Sequence, residues 1–216
     1  METCLIFDHI TPENWDEMMH CFQAVRKTYQ AGECILHYAS HHETIGVVLS
    51  GEALLVKYDY DGYKNIIELL EKNNVFGSLL IRPFAEEEFE VIATNTCQIL
   101  FFDYKHLIKR CSKACTHHSI LTSNMLQILS NQSQYLLMRI DVLSQRTTRG
   151  KLLSYFKILS IQNQSDTFTL PFPLYSLADY LFIDRSAMFR EMKKLKEEGI
   201  ISSSGKKITL LHASNL

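Results

Sequence analysis

Hydrophobic and polar positions change texture three times along the chain. From about Tyr29 to Tyr104, short apolar or alternating runs (IGVVLSG, EALLVKY, NIIELL, FEVIAT, CQILFF) are separated by Gly32, Gly46, Gly51, Gly62, Asn73, Asn74 and Gly77. A period of two puts successive side chains on opposite faces of a strand, and Gly or Asn at the breaks supplies the positive φ of tight turns. The pattern predicts an antiparallel β-roll or jelly roll with hairpin tips at DYDGYK and EKNNVFG. Ahead of it, ITPENWDEMMHCF predicts a short helix, with Thr11 as cap, Pro12 in the first turn and Glu13 at the positive end of the dipole.

After Asp103 the period becomes helical for some forty residues. Leu126, Leu129, Ser133, Leu136, Ile140 and Leu143 recur at alternating three and four, the seam of a coiled coil, while Leu121, Met125, Ile128 and Tyr135 form an adjoining stripe. Two apolar stripes need two surfaces. One is assigned to the β-roll and the seam to a twin helix in a homodimer. Polar Ser144–Gly150 is the expected hinge, and KLLSYFKILSI opens a new helix.

Two short helical patterns then stand close together. Ser176 is expected to cap the first, with Asp179 three residues on, and Phe182-Ile183-Asp184 interrupts it. Asp184 caps a second helix from Arg185 to about Glu198, stopped at Gly199. Met188, Met192 and Leu195 define its buried side, whereas Ser186, Arg190, Lys193 and Glu197 lie opposite with Arg185 and Phe189 at the flanks. IISSSGKKITLL follows as a hairpin around Ser204–Gly205. The expected fold is α+β: an N-terminal β-roll domain (1–105), a central dimerisation helix and hinge (106–146), and a winged helix-turn-helix (147–216).

Composition and charge sharpen this picture. With 216 residues, 46% hydrophobic, the chain has enough apolar matter for one or two cores. METCLIFDHI shows no basic-then-apolar leader, and no window nears the roughly 18 apolar residues of a membrane span, so a cytoplasmic protein is expected. The net charge of −2 hides a polarity: residues 1–146 hold 12 Lys and Arg against 18 Asp and Glu, and residues 147–216 hold 10 against 6. A positive end on a near-neutral protein suits a polyanion.

Helix-turn-helix readers place the early exposed residues of the second helix in the major groove. Arginine offers a planar fork for guanine O6 and N7, serine bonds a base or a phosphate, and an aromatic edge meets a thymine methyl. Arg185, Ser186, Phe189 and Arg190 are therefore the expected base readers in double-stranded DNA. Ser176, Lys193, Lys206 and Lys207 suit phosphates.

LADYLFIDRSAMFREMKKLKEEGII resembles the helix-turn-helix of the Crp/Fnr superfamily of bacterial regulators. The resemblance extends through AGECIL, IGVVLSGEALLVKYDYDGYKNIIELLEKNNVFGSLL, the long helix and GKKITL. It implies a homodimer with a jelly-roll-like sensor, a dimerising helix and a winged domain that reads an inverted repeat and contacts RNA polymerase. By the same resemblance Arg185, Ser186 and Arg190 match the family's base readers. Ser186 stands where the cyclic-AMP receptor type has glutamate, and Phe182 stands where a turn glycine is usual.

The resemblance also bears on the effector. Phe76-Gly77-Ser78 lacks the glutamate of the cyclic-nucleotide FGE element, Glu86-Glu87-Glu88 falls where an arginine–serine pair would hold the phosphate, and Leu136 and Leu137 replace base-facing hydroxyls. These residues argue against cyclic AMP and leave an unidentified, weakly polar small molecule near Phe76, Gly77, Ser78, Leu79, Leu80, Tyr135 and Leu136. Cys4 and Cys21 do not match the clustered thiols of an iron–sulfur site, and the six scattered cysteines, Cys34 and Cys97 among them, do not make a disulfide scaffold. Cys111 and Cys115 share a helix face beside His117 and His118, which admits a redox or metal role. No cofactor, metal ligand set or catalytic residue is assigned. The competing readings are a β-roll protein-interaction module and a metal-dependent cupin enzyme built on His37, His41, His42 and Glu43, whose adjacent His41-His42 lacks the cupin His-x-His spacing.

Overall fold

The structure is a computed structural model describing residues 4–11, 19–38, 44–77, 89–103, 105 and 116–211, without the side chains of 116–118. The Pro12 and Glu13 helix start, the Cys111/Cys115 pair, His41–Glu43, Ser78–Leu80 and Glu86–Glu88 lie outside these residues, as do the His117 and His118 side chains. The chain divides into two compact units, Met1–Ser133 and Gln134–Leu216. The division falls inside the helix α1 (Thr116–Ser144), which contributes to both.

Among the described residues the N-terminal unit carries eight strands: β1 (Val25–Tyr29), β2 (Cys34–His37), β3 (Thr44–Ser50), β4 (Ala53–Tyr58), β5 (Lys64–Leu70), β6 (Val75–Gly77), β7 (Phe89–Ala93) and β8 (Cys97–Asp103). They form two four-stranded antiparallel sheets, ordered β1-β8-β3-β6 and β2-β7-β4-β5. Strand alternation divides the apolar side chains between two cores. Val48, Ile99, Leu55, Val91 and Leu70 fill one, and Ile45, Val47, Leu49, Leu100 and Phe102 project into the other. That second core is closed by Ile6, Phe22 and the α1 residues Leu121, Met125 and Ile128, so these three residues of the adjoining stripe pack on the β-roll, whereas its fourth, Tyr135, bonds Tyr180 in the C-terminal unit.

In the paired strands β3 and β6 two glycines are required by space. An added Cβ at Gly46 would lie 2.4 Å from the Phe76 ring, which fills that gap from the facing strand, and one at Gly77 (φ +137°) would lie 2.2 Å from the Thr44 carbonyl oxygen. At the β4–β5 tip the Asp59 carboxylate accepts from the amides of Asp61 and Tyr63 at 3.0 and 2.8 Å, and at the next turn Asn73 takes φ 74°. The DYDGYK tip is the expected hairpin, whereas EKNNVFG turns the chain from one sheet to the other, since β5 pairs with β4 and β6 with β3, and is not a hairpin tip.

The C-terminal unit holds the end of α1, α2 (Thr148–Asn163), β9 (Thr167–Thr169), α3 (Leu174–Leu181), α4 (Arg185–Glu197), β10 (Ile201–Ser204) and β11 (Lys207–Leu210). Its sheet is ordered β10-β11-β9, so the wing has a third strand, TFT, that the sequence pattern did not reveal. Leu152, Phe156, Phe168, Leu177, Leu181, Met188, Leu195 and Ile208 are buried in this unit. The expected hinge is shorter than Ser144–Gly150: α1 ends at Ser144, and the Thr147 hydroxyl caps α2 by accepting from the Gly150 amide at 2.9 Å. Three residues, Gln145 to Thr147, therefore join the two helices.

Candidate nucleic-acid interface

The helix-turn-helix is α3 and α4 with a turn at Phe182-Ile183-Asp184. Phe182 ends α3 at φ 51°, ψ 54°, the left-handed conformation that glycine adopts without a Cβ clash. The turn holds because its exposed carbonyls are occupied: the Lys151 ammonium donates to the carbonyls of Leu181 and Phe182 at 3.2 and 3.5 Å, and a cation at a helix C-terminus also suits the dipole. Asp184 begins α4 as expected, its carboxylate accepting from the Ala187 amide at 2.7 Å. Met188, Met192 and Leu195 are buried.

Ser176 does not cap α3. The helix starts one turn earlier in effect, with Pro173 at the cap (φ −61°, ψ 154°) and its carbonyl accepting from the Ser176 and Leu177 amides at 2.9 and 3.2 Å. Proline already has the backbone angle that leads into the helix, so the serine falls within the first turn, half-buried. The Asp179 carboxylate, which the box-like pattern placed at the helix start, binds Arg185 instead, at 3.1, 3.0 and 2.8 Å.

The expected base readers share the outer side of α4. Arg185, Ser186, Phe189 and Arg190 are all exposed. Arg185 is also braced, the hydrogen bonds and negative charge of Asp179 raising its pKa above the ordinary arginine value. Lys193 lies near Glu197 at 3.7 Å, and Lys206 and Lys207 stand exposed at the β10–β11 turn. The inner side of α4 is tied to α2 by Arg149, which bonds Glu191 at 3.3 Å and both oxygens of Glu198. Its hydrogen bonds lower the Glu198 pKa below the usual carboxylate range.

Two polar arrangements escaped the sequence reading. In the N-terminal unit the buried Gln132 amide donates to Glu68 at 2.7 Å and to the Val75 carbonyl at 3.0 Å, joining α1 to β5 and β6. The signal was Gln132 itself, a polar residue in the stripe of Met125 and Ile128. In the C-terminal unit the phenol oxygens of Tyr135 and Tyr180 are 2.5 Å apart, and Arg139 lies 3.8 Å over the Tyr180 ring while donating to the Tyr180 carbonyl at 2.9 Å. Burial first, then Tyr180, raises the Tyr135 pKa far above that of free tyrosine.

Of the expected effector residues, Phe76 is buried and packs edge-on to Phe101, while the Gly77 amide donates to the Tyr38 hydroxyl at 3.1 Å. Tyr135 is engaged by Tyr180, and Leu136 is exposed. On α1 the seam residues Leu126, Ser133, Leu136 and Ile140 are exposed, with Leu129 and Leu143 half-buried. His37 pairs with Glu90 at 3.5 Å. Among the described residues no three of His, Cys, Asp and Glu are grouped to hold a metal, and no helix is long and apolar enough to cross a membrane.

A double-sheet β-roll followed by a winged helix-turn-helix with an exposed cationic helix defines the architecture of a DNA-binding regulator. Residues 26–114 match the cyclic nucleotide-binding domain family and residues 140–216 the Crp-like helix-turn-helix domain family. The transcriptional activator protein FnrL of Cereibacter sphaeroides is 25% identical over 191 residues, 84% of this chain and 74% of that protein. The probable transcriptional regulator flp of Lacticaseibacillus casei is 25% identical over 158 residues, 73% of this chain and 64% of that protein, just under two thirds of its length. A CooA variant from Carboxydothermus hydrogenoformans shares the fold at a TM-score of 0.74 and 14% identity, with 100% of this chain and 94% of that one covered. The chain belongs to the Crp/Fnr family of transcription regulators.

Proposed function

We propose that two copies of the chain, joined along the seam of Leu126, Leu129, Ser133, Leu136, Ile140 and Leu143, bind an inverted repeat in duplex DNA without catalysing a reaction. In this reading residues 1–105 sense a small molecule near Phe76–Leu80, 106–146 dimerise and 147–216 bind DNA. Arg185, Ser186, Phe189 and Arg190 read base edges, while Ser176, Lys193, Lys206 and Lys207 meet phosphates. The protein works in the cytoplasm, and RNA polymerase is its partner at the promoter. A ligand controls it by favouring one arrangement of the paired winged domains.

The observation that carries this reading is the division of α4. Its inner side is anchored by Met188, Met192, Leu195 and the Arg149–Glu191 pair. Its outer side presents two arginines, a serine and a phenyl ring that the core does not use. Selection of bound duplexes from a random pool is expected to return a palindrome with half-site centres about 10 base pairs apart. Binding should weaken with salt at a log–log slope of about −0.9 per phosphate neutralised. A monomer that enriches no sequence and ignores polyanions would overturn the reading in favour of a protein-interaction module.

A further inference from the structure

We propose that Asp179 determines specificity in DNA reading by gripping one edge of the Arg185 guanidinium so that its other edge is presented to a guanine. The proposal rests on Arg185 as a base reader and extends it to an acidic residue that does not itself reach the DNA.

Asp179 is on α3 and Arg185 is the first residue of α4, so the pair spans the turn. The carboxylate accepts from Nε at 3.1 Å and from Nη2 at 3.0 and 2.8 Å, and Nη1 takes no part in the pair. A guanidinium has two parallel N–H pairs, one along its Nε/Nη2 side and one across its Nη1/Nη2 end. Asp179 grips the side and leaves Nη1, whose N–H belongs to the end pair that matches O6 and N7 of guanine in the major groove. The exposures decide which partner faces outward: the Arg185 side chain is 58% exposed and that of Asp179 only 15%. The carboxylate lies low in the turn, where it braces the arginine without meeting a phosphate.

The brace answers two physical needs of this position. Arg185 sits at the positive end of the α4 dipole, where its own helix does not hold a cation. A long arginine side chain is also free to swing to a phosphate, a contact without sequence information. Fixing χ angles beforehand removes that alternative and reduces the rotamer entropy lost on binding.

The test uses the full chain as wild type, Arg185→Ala, Asp179→Asn and Asp179→Glu, compared at matched folded fraction by circular dichroism. Duplex selection locates the base pair whose preference Arg185→Ala erases, and competition titrations then compare G·C with A·T at that pair. Asp179→Asn is expected to lower this discrimination at least about fivefold, the lower end of what one bidentate arginine–guanine contact provides. Preferences at other pairs should hold, affinity for random duplex should not fall, and Asp179→Glu should keep more discrimination than Asp179→Asn. Wild-type discrimination in Asp179→Asn, even with tighter binding to every duplex, overturns the role of Asp179 while Arg185 remains a base reader. A selected sequence unchanged by Arg185→Ala overturns the base-reading assignment and the brace together.

Discussion

The phenol oxygens of Tyr135 and Tyr180 stand 2.5 Å apart. This ties the last turns of α1 to the first helix of the helix-turn-helix, and Arg139 reinforces it by stacking over the Tyr180 ring. Tyr180→Phe keeps the ring but leaves the Tyr135 hydroxyl without this partner, a loss expected to cost about 1–3 kcal/mol. The double variant Tyr135→Phe/Tyr180→Phe removes both polar ends and should recover most of that loss. Urea unfolding of the two single variants and the double variant measures the coupling.

The same tyrosine predicts how stability responds to alkali. The Tyr135 pKa is raised by burial, so above about pH 10, where an unperturbed tyrosine titrates, the unfolded chain releases a proton that the folded chain keeps. Stability is thus fully present below pH 10 and falls as pH rises beyond it, by up to about 1.4 kcal/mol per pH unit for one group. Tyr38, raised for the same first cause, adds a slope of the same sign from the N-terminal unit. Tyr135→Phe should flatten the alkaline decline of the C-terminal unit, measured by unfolding midpoints between pH 9 and 11.

Phe182 occupies a left-handed turn position at φ 51°. Comparing Phe182→Gly with Phe182→Ala isolates the backbone cost, because both lack the ring. The glycine variant is expected to be the more stable by about 1 kcal/mol, read as a shift in denaturant midpoint at unchanged m-value.

The two stripes of α1 should respond differently to substitution. Leu126 is 70% exposed and Ile140 62%, so Leu126→Asp and Ile140→Asp are expected to leave each chain folded while converting a dimer to monomers in sedimentation. Leu121 is 2% exposed, and Leu121→Ala should instead lower folding stability by about 2–5 kcal/mol.

Periodicity made the strands, the long helix and the paired short helices legible, because burial imposes a period of two or 3.6 on any sequence that folds this way. It also separated Met188, Met192 and Leu195 from the outer side of α4. Capping was legible where local geometry alone decides it, as at Asp184 and Gly199. It misled at Ser176, since Pro173 three residues earlier has the angles to begin the helix. The strand Thr167–Thr169 was hidden because three residues are too few to show a period.

By itself, then, the sequence determined which faces are apolar, where the chain turns and where its positive charge gathers, all properties of near neighbours along a helix or strand. Only the tertiary structure decided that Gln132 meets Glu68, that Tyr135 and Arg139 meet Tyr180, and that Asp179 serves Arg185 instead of capping its own helix. Those contacts depend on which elements approach one another and at what angle. A hydrogen-bonding group takes whichever partner the assembled fold brings within about 3 Å, and local spacing holds no record of that choice.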